Sequence, residues 1–533
     1  MNAAANGDGL APLRNRTFAV LWAATVLGNV GSFMRDVASA WMATELSPSP
    51  TAVALIQTAA SLPVFLLAIP AGVLSDIWDR RRFLIAAQLL LALVSLSLLL
   101  LSWRGALTVE YLIALTFVGG VGMALVAPTW QAIVPELVPR EQVRAAVTLN
   151  SVGVNIARAI GPALGGLLLA ALGAAVAYAA DVLTYVFVIG ALLWWRRPAT
   201  ASDALPEDFL GAFRAGLRYA RRSRELHRVL LRAALFFACA SVSWALLPLV
   251  ARSLLGGGAG FYGVLLGAVG AGAILGALLL PALRARLSAD QLLLASAWIN
   301  AGVLAALVLR PPQWLAVLAL LLLGVAWIAA LTTLNGVAQA VLPNWVRGRG
   351  LAVYLTVFNG AMALGSLGWG LAAQRLGVAT TLLAGAASLA LSSLLLYRLR
   401  LPAGEADLQP SNHWPEPLAS AGLEHDRGPV LIQIEYEIDA ADRTAFLAVV
   451  RKLSQARLRD GAYAWGVAED AAAPRRIVEW FLVESWAEHL RQHRRVSNAD
   501  ADLQRGALVF HRGAEPPRVQ HFLSLRAAHG DSD

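Results

Sequence analysis

The sequence holds one cysteine, Cys239, in 533 residues. A single thiol excludes a disulfide framework and a thiolate metal cluster. Lysine is as scarce. Lys452 stands alone, so the formal net charge of +9 is carried by arginine. Charged residues are 14% of the chain and hydrophobic ones 58%. Soluble domains carry about 25% charged residues, so most of this chain is not a soluble globule. No GxxxxGK[ST] segment occurs, which argues against direct drive by ATP. A basic balance can point to nucleic acid. These arginines sit mostly at the ends of apolar runs, where anchoring and topology account for them, and no nucleic-acid partner is expected.

Apolar runs lie at roughly 17–44, 52–75, 83–103, 109–131, 145–170 and 174–195, then at 229–252, 260–283, 290–309, 313–340, 350–373 and 378–398. Each is about twenty residues or longer, enough to cross about 30 Å of hydrocarbon as a helix. The polar segment before the first run is short. That run is too long for a cleaved signal core and reads as a retained helix. Arginine placement tests the count. With the N-terminus inside, the inner segments hold Arg14 and Arg16, Arg80 to Arg82, Arg140 and Arg144, the stretch from Arg196 to Arg232, Arg284 and Arg286, Arg347 and Arg349, and Arg398 and Arg400. The outer loops hold about one each: Arg104, Arg252, Arg310 and Arg375. This asymmetry predicts twelve spans with both ends cytoplasmic, in a bacterial-type inner membrane.

Repetition supports two halves. Gln131-Ala-Ile-Val-Pro135 returns as Gln339-Ala-Val-Leu-Pro343, about 208 residues later, each at the end of an apolar run before an arginine-bearing turn. Six spans separate the copies, so both halves have the same orientation, as a rocking transporter requires. The arginine-rich segment FRAGLRYARRSRELHRVL between the halves reads as an interfacial cytoplasmic helix.

The turn from Gly72 to Leu84, GVLSDIWDRRRFL, sets the orientation of the first helices, because its two acids and three arginines must face water. It resembles the loop between helices 2 and 3 of major facilitator superfamily transporters. Gly72, Asp76, Arg80, Arg81 and Arg82 fit that pattern. Ile77 stands where a basic residue is usual and Asp79 where Gly is usual. The resemblance implies a cytoplasmic gate, in which the acid and the arginines latch helix ends. The bland alternative is a positive-inside loop with no further role. In the fifth span, Arg158-Ala-Ile-Gly161-Pro162-Ala-Leu-Gly165-Gly166 resembles the antiporter motif of the same superfamily. Ala157 replaces its first glycine. Small residues let helix backbones approach and Pro bends the helix. The wider run, from Pro128 through PELVPREQVRAA, LNSVGVNIAR and GPALGG, is similar to the transmembrane secretion effectors, a branch with siderophore exporters and macrolide efflux proteins. The fourth span, Tyr111 to Gln131, lacks the arginine that many proton-driven relatives carry.

Four intramembrane charges remain. At about 1.5 Å per residue, Arg35, Asp36, Arg158 and Asp181 fall in one layer of the outer half of the N-terminal bundle. Pairing Arg158 with Asp36 or Asp181 would remove most of the several kcal/mol that an unpaired charge costs there. Asp36, Asp181 and Arg35 are therefore proton-coupling candidates, with a static ion pair as the alternative. Amides at membrane depth (Asn29, Gln57, Asn150) and aromatics (Trp22, Phe33, Trp41, Trp244, Trp327, Phe358) would suit a cavity for an amphipathic molecule. Lipid-facing aromatics are the commoner case.

After Leu401 the composition turns polar. From Val430 the order β-α-β-β-α-β suggests a ferredoxin-like domain. It resembles the dimeric α/β-barrel domains related to antibiotic-biosynthesis monooxygenases, which implies a homodimer and a pocket lined by Trp465, Trp480, Trp486, His493 and His511. His489 and His493 stand at i, i+4, but no third metal ligand is evident in the sequence. The expected fold class is an all-α membrane protein of about twelve helices in two parallel six-helix halves, with a small C-terminal α+β ferredoxin-like domain. The divisions are 1–195 and 229–401 for the halves, 196–228 and 402–428 for linkers, and 429–526 for the soluble domain. The expected function is a secondary exporter, a proton antiporter of a siderophore, drug or secondary metabolite, with no cofactor and no metal. The alternative is a membrane-anchored enzyme or ligand sensor acting through the C-terminal domain.

Overall fold

In a computed structural model, residues 10–196, 209–402, 407–409, 411 and 427–524 are described. The N-terminal half contains α1 (Arg16–Leu46), α2 (Pro50–Ile77), α3 (Arg80–Trp103), α4 (Val109–Ile133), α5 (Val143–Leu172) and α6 (Ala174–Trp194). Next come α7 (Phe209–Arg222) and the second half: α8 (Arg224–Leu249), α9 (Ala259–Arg284), α10 (Ala289–Val308), α11 (Gln313–Ala340), α12 (Arg347–Leu376) and α13 (Val378–Tyr397). Among the described residues, twelve helices are long and apolar enough to cross a membrane, and α7 is not one of them. The chain is a multi-pass membrane protein.

Local chemistry starts and stops these helices. Asn15, Ser49, Asp79 and Thr108 accept backbone N–H groups at the starts of α1 to α4, filling donors that a helix leaves open. Ser288 and Gln291 close a reciprocal capping box on α10. Gly173 and Gly377 turn the chain at positive φ between α5 and α6 and between α12 and α13, equivalent places in the two halves. Outward-facing Leu, Val and Phe side chains are exposed along the helices, as a lipid-facing surface requires.

The chain divides into two compact units. In the first, α2 packs on α4, α1 on α5 and α6, α3 on α4 and α6, and α10 on α13, while α5 packs on α9 and joins the halves. Polar contacts between the halves among the described residues include three near one rim. Ser49 Oγ donates to Gln374 Oε1 at 2.9 Å, Thr51 Oγ1 to Gly370 O at 3.2 Å, and Arg252 to Thr44 O.

The second unit gathers α7, the turn between α11 and α12, and the C-terminal domain. That domain has β1 (Val430–Glu437), α14 (Arg443–Asp460), β2 (Ala462–Glu469), β3 (Arg476–Val483), α15 (Trp486–Arg495), α16 (Asn498–Leu508) and β4 (Arg518–Leu523). The sheet is antiparallel with order β2-β3-β1-β4, the ferredoxin-like arrangement plus one helix, α16. A capping box at Ser497 and Asp500 starts that extra helix. Strands β1 and β3 alternate buried and half-buried residues because side chains alternate faces. Val430, Ile432, Ile434, Phe446, Phe481 and Val483 form the core between sheet and helices.

The amphipathic segment is helical as the pattern suggests, but Ser223 interrupts it between α7 and α8. Its buried side belongs to a protein core. Tyr219 and Ala220 are buried, Tyr219 Oη donates to Val341 O at 3.1 Å, and its ring meets Trp345 edge-on at 5.7 Å.

Candidate functional site

A cavity of about 300 Å³ lies between the two halves, at the lower end of small-molecule sites. Its wall includes Phe33, Asp36, Gln57, Arg158, Trp244, Tyr262, Trp327 and Phe358. The aromatics support one another. Trp244 and Trp327 meet at 5.1 Å, and Phe237 meets Trp327 at 5.5 Å and Phe358 at 4.5 Å, all edge-on. Trp41 stacks on Tyr262 at 5.9 Å. The buried indole N–H of Trp244 has no hydrogen-bond partner among the described residues, so the wall offers a donor to a bound molecule. A second cavity of about 280 Å³ lies within the N-terminal half, lined by Asn29, Gln88, Met123, Trp130 and Asn150. Phe33 and Arg158 line both cavities.

The charges arrange themselves differently from the sequence expectation. Arg35, not Arg158, pairs with both acids. Arg35 Nη2 lies 3.1 Å from Asp36 Oδ1 and Nη1 3.5 Å from Asp181 Oδ2. Tyr185 Oη accepts from Arg35 Nη1 at 3.1 Å, and Ser95 Oγ donates to Asp181 Oδ2 at 2.6 Å. The reason is the rotation of α1. Gly31 sits one turn below Arg35, and a methyl there would meet Thr184 Oγ1 at 2.2 Å and Asp181 Oδ1 at 2.6 Å. That close approach of α1 to α6 aims Arg35 at Asp181. Asp181 is fully buried, whereas the Asp36 side chain is 58% exposed and reaches the central cavity. Arg158 makes no ion pair among the described residues.

Gly161, Pro162, Gly165 and Gly166 are all buried on α5. A methyl on Gly161 would meet Phe33 Cβ at 2.6 Å, and one on Gly165 would meet Met34 Cα at 2.7 Å, both on α1. On Gly166 it would meet Gly263 Cα of α9 at 2.5 Å. The motif is thus a two-sided contact ridge, one side on its own half and the other on the opposite half.

The charged turn after α2 braces α3. Arg80 Nη1 reaches Glu136 Oε1 at 2.6 Å. Arg81 donates through Nε to Leu192 O and through Nη2 to Leu193 O, each at 2.8 Å, satisfying carbonyls at the end of α6. Asp79 caps the Arg82 N–H at 2.9 Å. A methyl on Gly72 would meet nothing within 4 Å. The side chain of Asp76 lies outside the described residues.

Other expected cavity groups are engaged in helix contacts. Trp22 Nε1 donates to Leu149 O at 2.9 Å and ties α1 to α5. Asn150 accepts from Trp130 Nε1 at 2.9 Å. The soluble-domain set does not gather in one pocket. Trp465 Nε1 donates to Glu479 Oε1 at 3.0 Å, and His511 Nδ1 accepts the Glu437 N–H at 3.0 Å. Trp486 and His493 lie instead on α15.

The sequence profile of the family described as transmembrane secretion effector matches residues 7–529. The chain belongs to that family. Curated proteins that resemble it include the staphyloferrin A transporter of Staphylococcus aureus, 23% identical over 258 residues, 47% of this chain and 64% of the relative. Macrolide efflux protein A of Streptococcus pyogenes is 24% identical over 242 residues, 45% of this chain and 60% of the relative. The chain thus spans about three fifths of the curated relatives it matches. Among solved structures, an inward-facing, unoccupied bacterial homolog of the human lysosomal transporter Spinster aligns with TM-score 0.59 and 16% identity over 73% of this chain and 97% of that one. An auto-inhibited POT family peptide transporter aligns with TM-score 0.60 and 14% identity over 72% and 97%. These likenesses concern the fold, that of the major facilitator superfamily.

Proposed function

We propose that this secretion effector is a secondary exporter of a small amphipathic molecule, siderophore-like or drug-like, driven by proton entry. The observation that carries the reading is the central cavity, in which a wall of aromatics meets Asp36 and Arg158. An apolar body with a few polar groups fits such a wall. The resemblance to a staphyloferrin A transporter and a macrolide efflux protein supports the substrate class. The polar contacts between the halves at Ser49, Thr51 and Arg252 lie at the rim that the arginine pattern assigns to the outside, which supports a carrier closed on that side. Asp36 is the acid that reaches the cavity, and Arg35 joins it to buried Asp181. Protonating Asp36 would weaken its hold on Arg35, which supports a coupling role for the trio. Arg158, in the same wall and without an ion pair among the described residues, is a site for an anionic group of the substrate.

The test is flux into inverted vesicles with an acid-inside gradient, using a panel of fluorescent drugs and siderophores. Expected is gradient-dependent accumulation. Trp327→Ala should lower it roughly tenfold, the effect of about 1.4 kcal/mol. Flux indifferent to the gradient would remove antiport and leave transport.

A second reading has its own observation. The C-terminal domain packs with α7 and with the α11–α12 turn in one unit. Arg495 Cζ stacks 4.4 Å from the Trp345 ring, and Arg459 Cζ lies 5.5 Å from the Tyr219 ring. Such packing suits a ligand sensor that acts on the transporter, and the outer sheet face of Leu431, Trp480, Leu482 and Phe522 suits a second copy of the chain.

A further inference from the structure

The C-terminal domain brings three imidazoles together that the sequence keeps apart. His489 and His493 lie at i, i+4 on α15, so one helix face presents both. His521 lies on β4 opposite Ile432 of β1. Directly opposed residues share a face, and Ile432 belongs to the core beneath the helices. Register therefore turns His521 toward α15. One ring nitrogen of each histidine lies within 4.8 Å of those of the other two. His489 Nε2 and His493 Nε2 are 3.2 Å apart.

That spacing is informative. Two ligands about 2.0–2.1 Å from a tetrahedral zinc ion are separated by about 3.3 Å. The third nitrogen needs to close by up to about 1.5 Å, within reach of a χ rotation. The surroundings are those of a built site. His489 is 1% exposed. Trp486 walls the cluster, 5.4 Å from the His489 ring and 5.7 Å from that of His521. His489 Nδ1, His521 Nε2 and both amide atoms of Gln492 are buried without a hydrogen-bond partner among the described residues. Four orphaned polar atoms in one place are costly. A metal on His489 Nε2 would put the proton on Nδ1, and Gln492, at i, i+3 on the same helix with its amide oxygen unpartnered among the described residues, offers an acceptor for it.

We propose that His489, His493 and His521 form a binding site for a divalent transition-metal ion of the zinc type, with a fourth position open to water or a ligand. The site lies wholly in the second unit and stands whether or not the membrane helices export. It also ties α15 to β4. The other side of α15 carries Arg495, which contacts Trp345, so the ion would stiffen the helix that docks the α11–α12 turn.

The experiment uses the full chain in detergent, its affinity tag removed and bound metal stripped with chelator, then titrated with zinc. Expected is one zinc ion per chain retained through gel filtration, and a tetrahedral visible spectrum with cobalt(II). His493→Ala and His521→Ala should each weaken binding by more than the roughly 10–100-fold typical of outer-shell losses, and His511→Ala should leave it unchanged. Wild type that retains no stoichiometric zinc overturns the site without recourse to any variant. So does binding that persists in a His489→Ala, His521→Ala double variant, or a cobalt spectrum of octahedral type.

Discussion

Arg35 is 7% exposed on a helix whose other buried side chains carry no charge, and its two acids face different surroundings. Asp181 is enclosed, with Ser95, Thr184 and Arg35 around it. Asp36 faces the cavity. Their substitutions should therefore separate. Asp181→Ala leaves Arg35 without its buried partner, a loss of about 3–5 kcal/mol, and should lower the melting temperature of the purified protein markedly. Asp36→Asn leaves that pair in place. It should keep the melting temperature within a few degrees while flattening the response of efflux to an imposed pH gradient. A large thermal shift in Asp36→Asn with coupling intact would reverse the two roles. At this scale the sequence showed which charges were costly, because any ionised group in an apolar run is. It did not show the pairing. Arg158 and Arg35 lie at similar depth, and only the rotation of α1 against α6, set by Gly31, gives the acids to Arg35.

Among elements, α5 decides how the halves meet. Its glycines place Gly161 and Gly165 against α1 and Gly166 against α9. A side chain at Gly166 would strike the backbone of Gly263, not a flexible side chain. Gly166→Leu should thus force α5 from α9, costing at least the roughly 1–3 kcal/mol of ordinary overpacking. Cross-linking of cysteine pairs placed on α5 and α9 should fall with it. Unchanged cross-linking would show that the ridge is not the contact. The motif was legible because small residues and proline at fixed spacing are a local pattern. That its two sides serve two different helices was not, since sequence spacing says which residues share a face but not what covers it. The histidines of α15 show the same limit. Their i, i+4 spacing is visible, but His521 joins them only through strand register.

At the scale of the molecule, the segments outside the twelve spans are not idle connectors. Tyr219 of α7, Trp345 of the α11–α12 turn, and Arg459 and Arg495 of the C-terminal domain interlock in one unit. Arg495 also bonds Glu488 Oε1 at 2.6 Å, and Arg459 bonds Asp500 Oδ2 at 2.6 Å. Trp345→Ala removes a cation–π contact and an edge contact, together about 1–3 kcal/mol. Amide exchange in α7 should accelerate while exchange in β1 and β3 stays slow. Equal protection in α7 would mean that the contact does not hold it.

The twelve apolar stretches, the arginine alternation, the twofold repetition and the β-α-β-β-α-β order could be read directly. Hydrocarbon thickness, charge cost and side-chain alternation act on each segment by itself. The added helix α16 rests on a short polar segment whose capping box is a weak local signal. The Arg35 pairing, the shared cavity, the second role of α7 and the three-histidine cluster belong to the tertiary structure. Each depends on the rotation of one element against another, and that rotation is settled by close packing over many residues, which no single stretch of sequence contains.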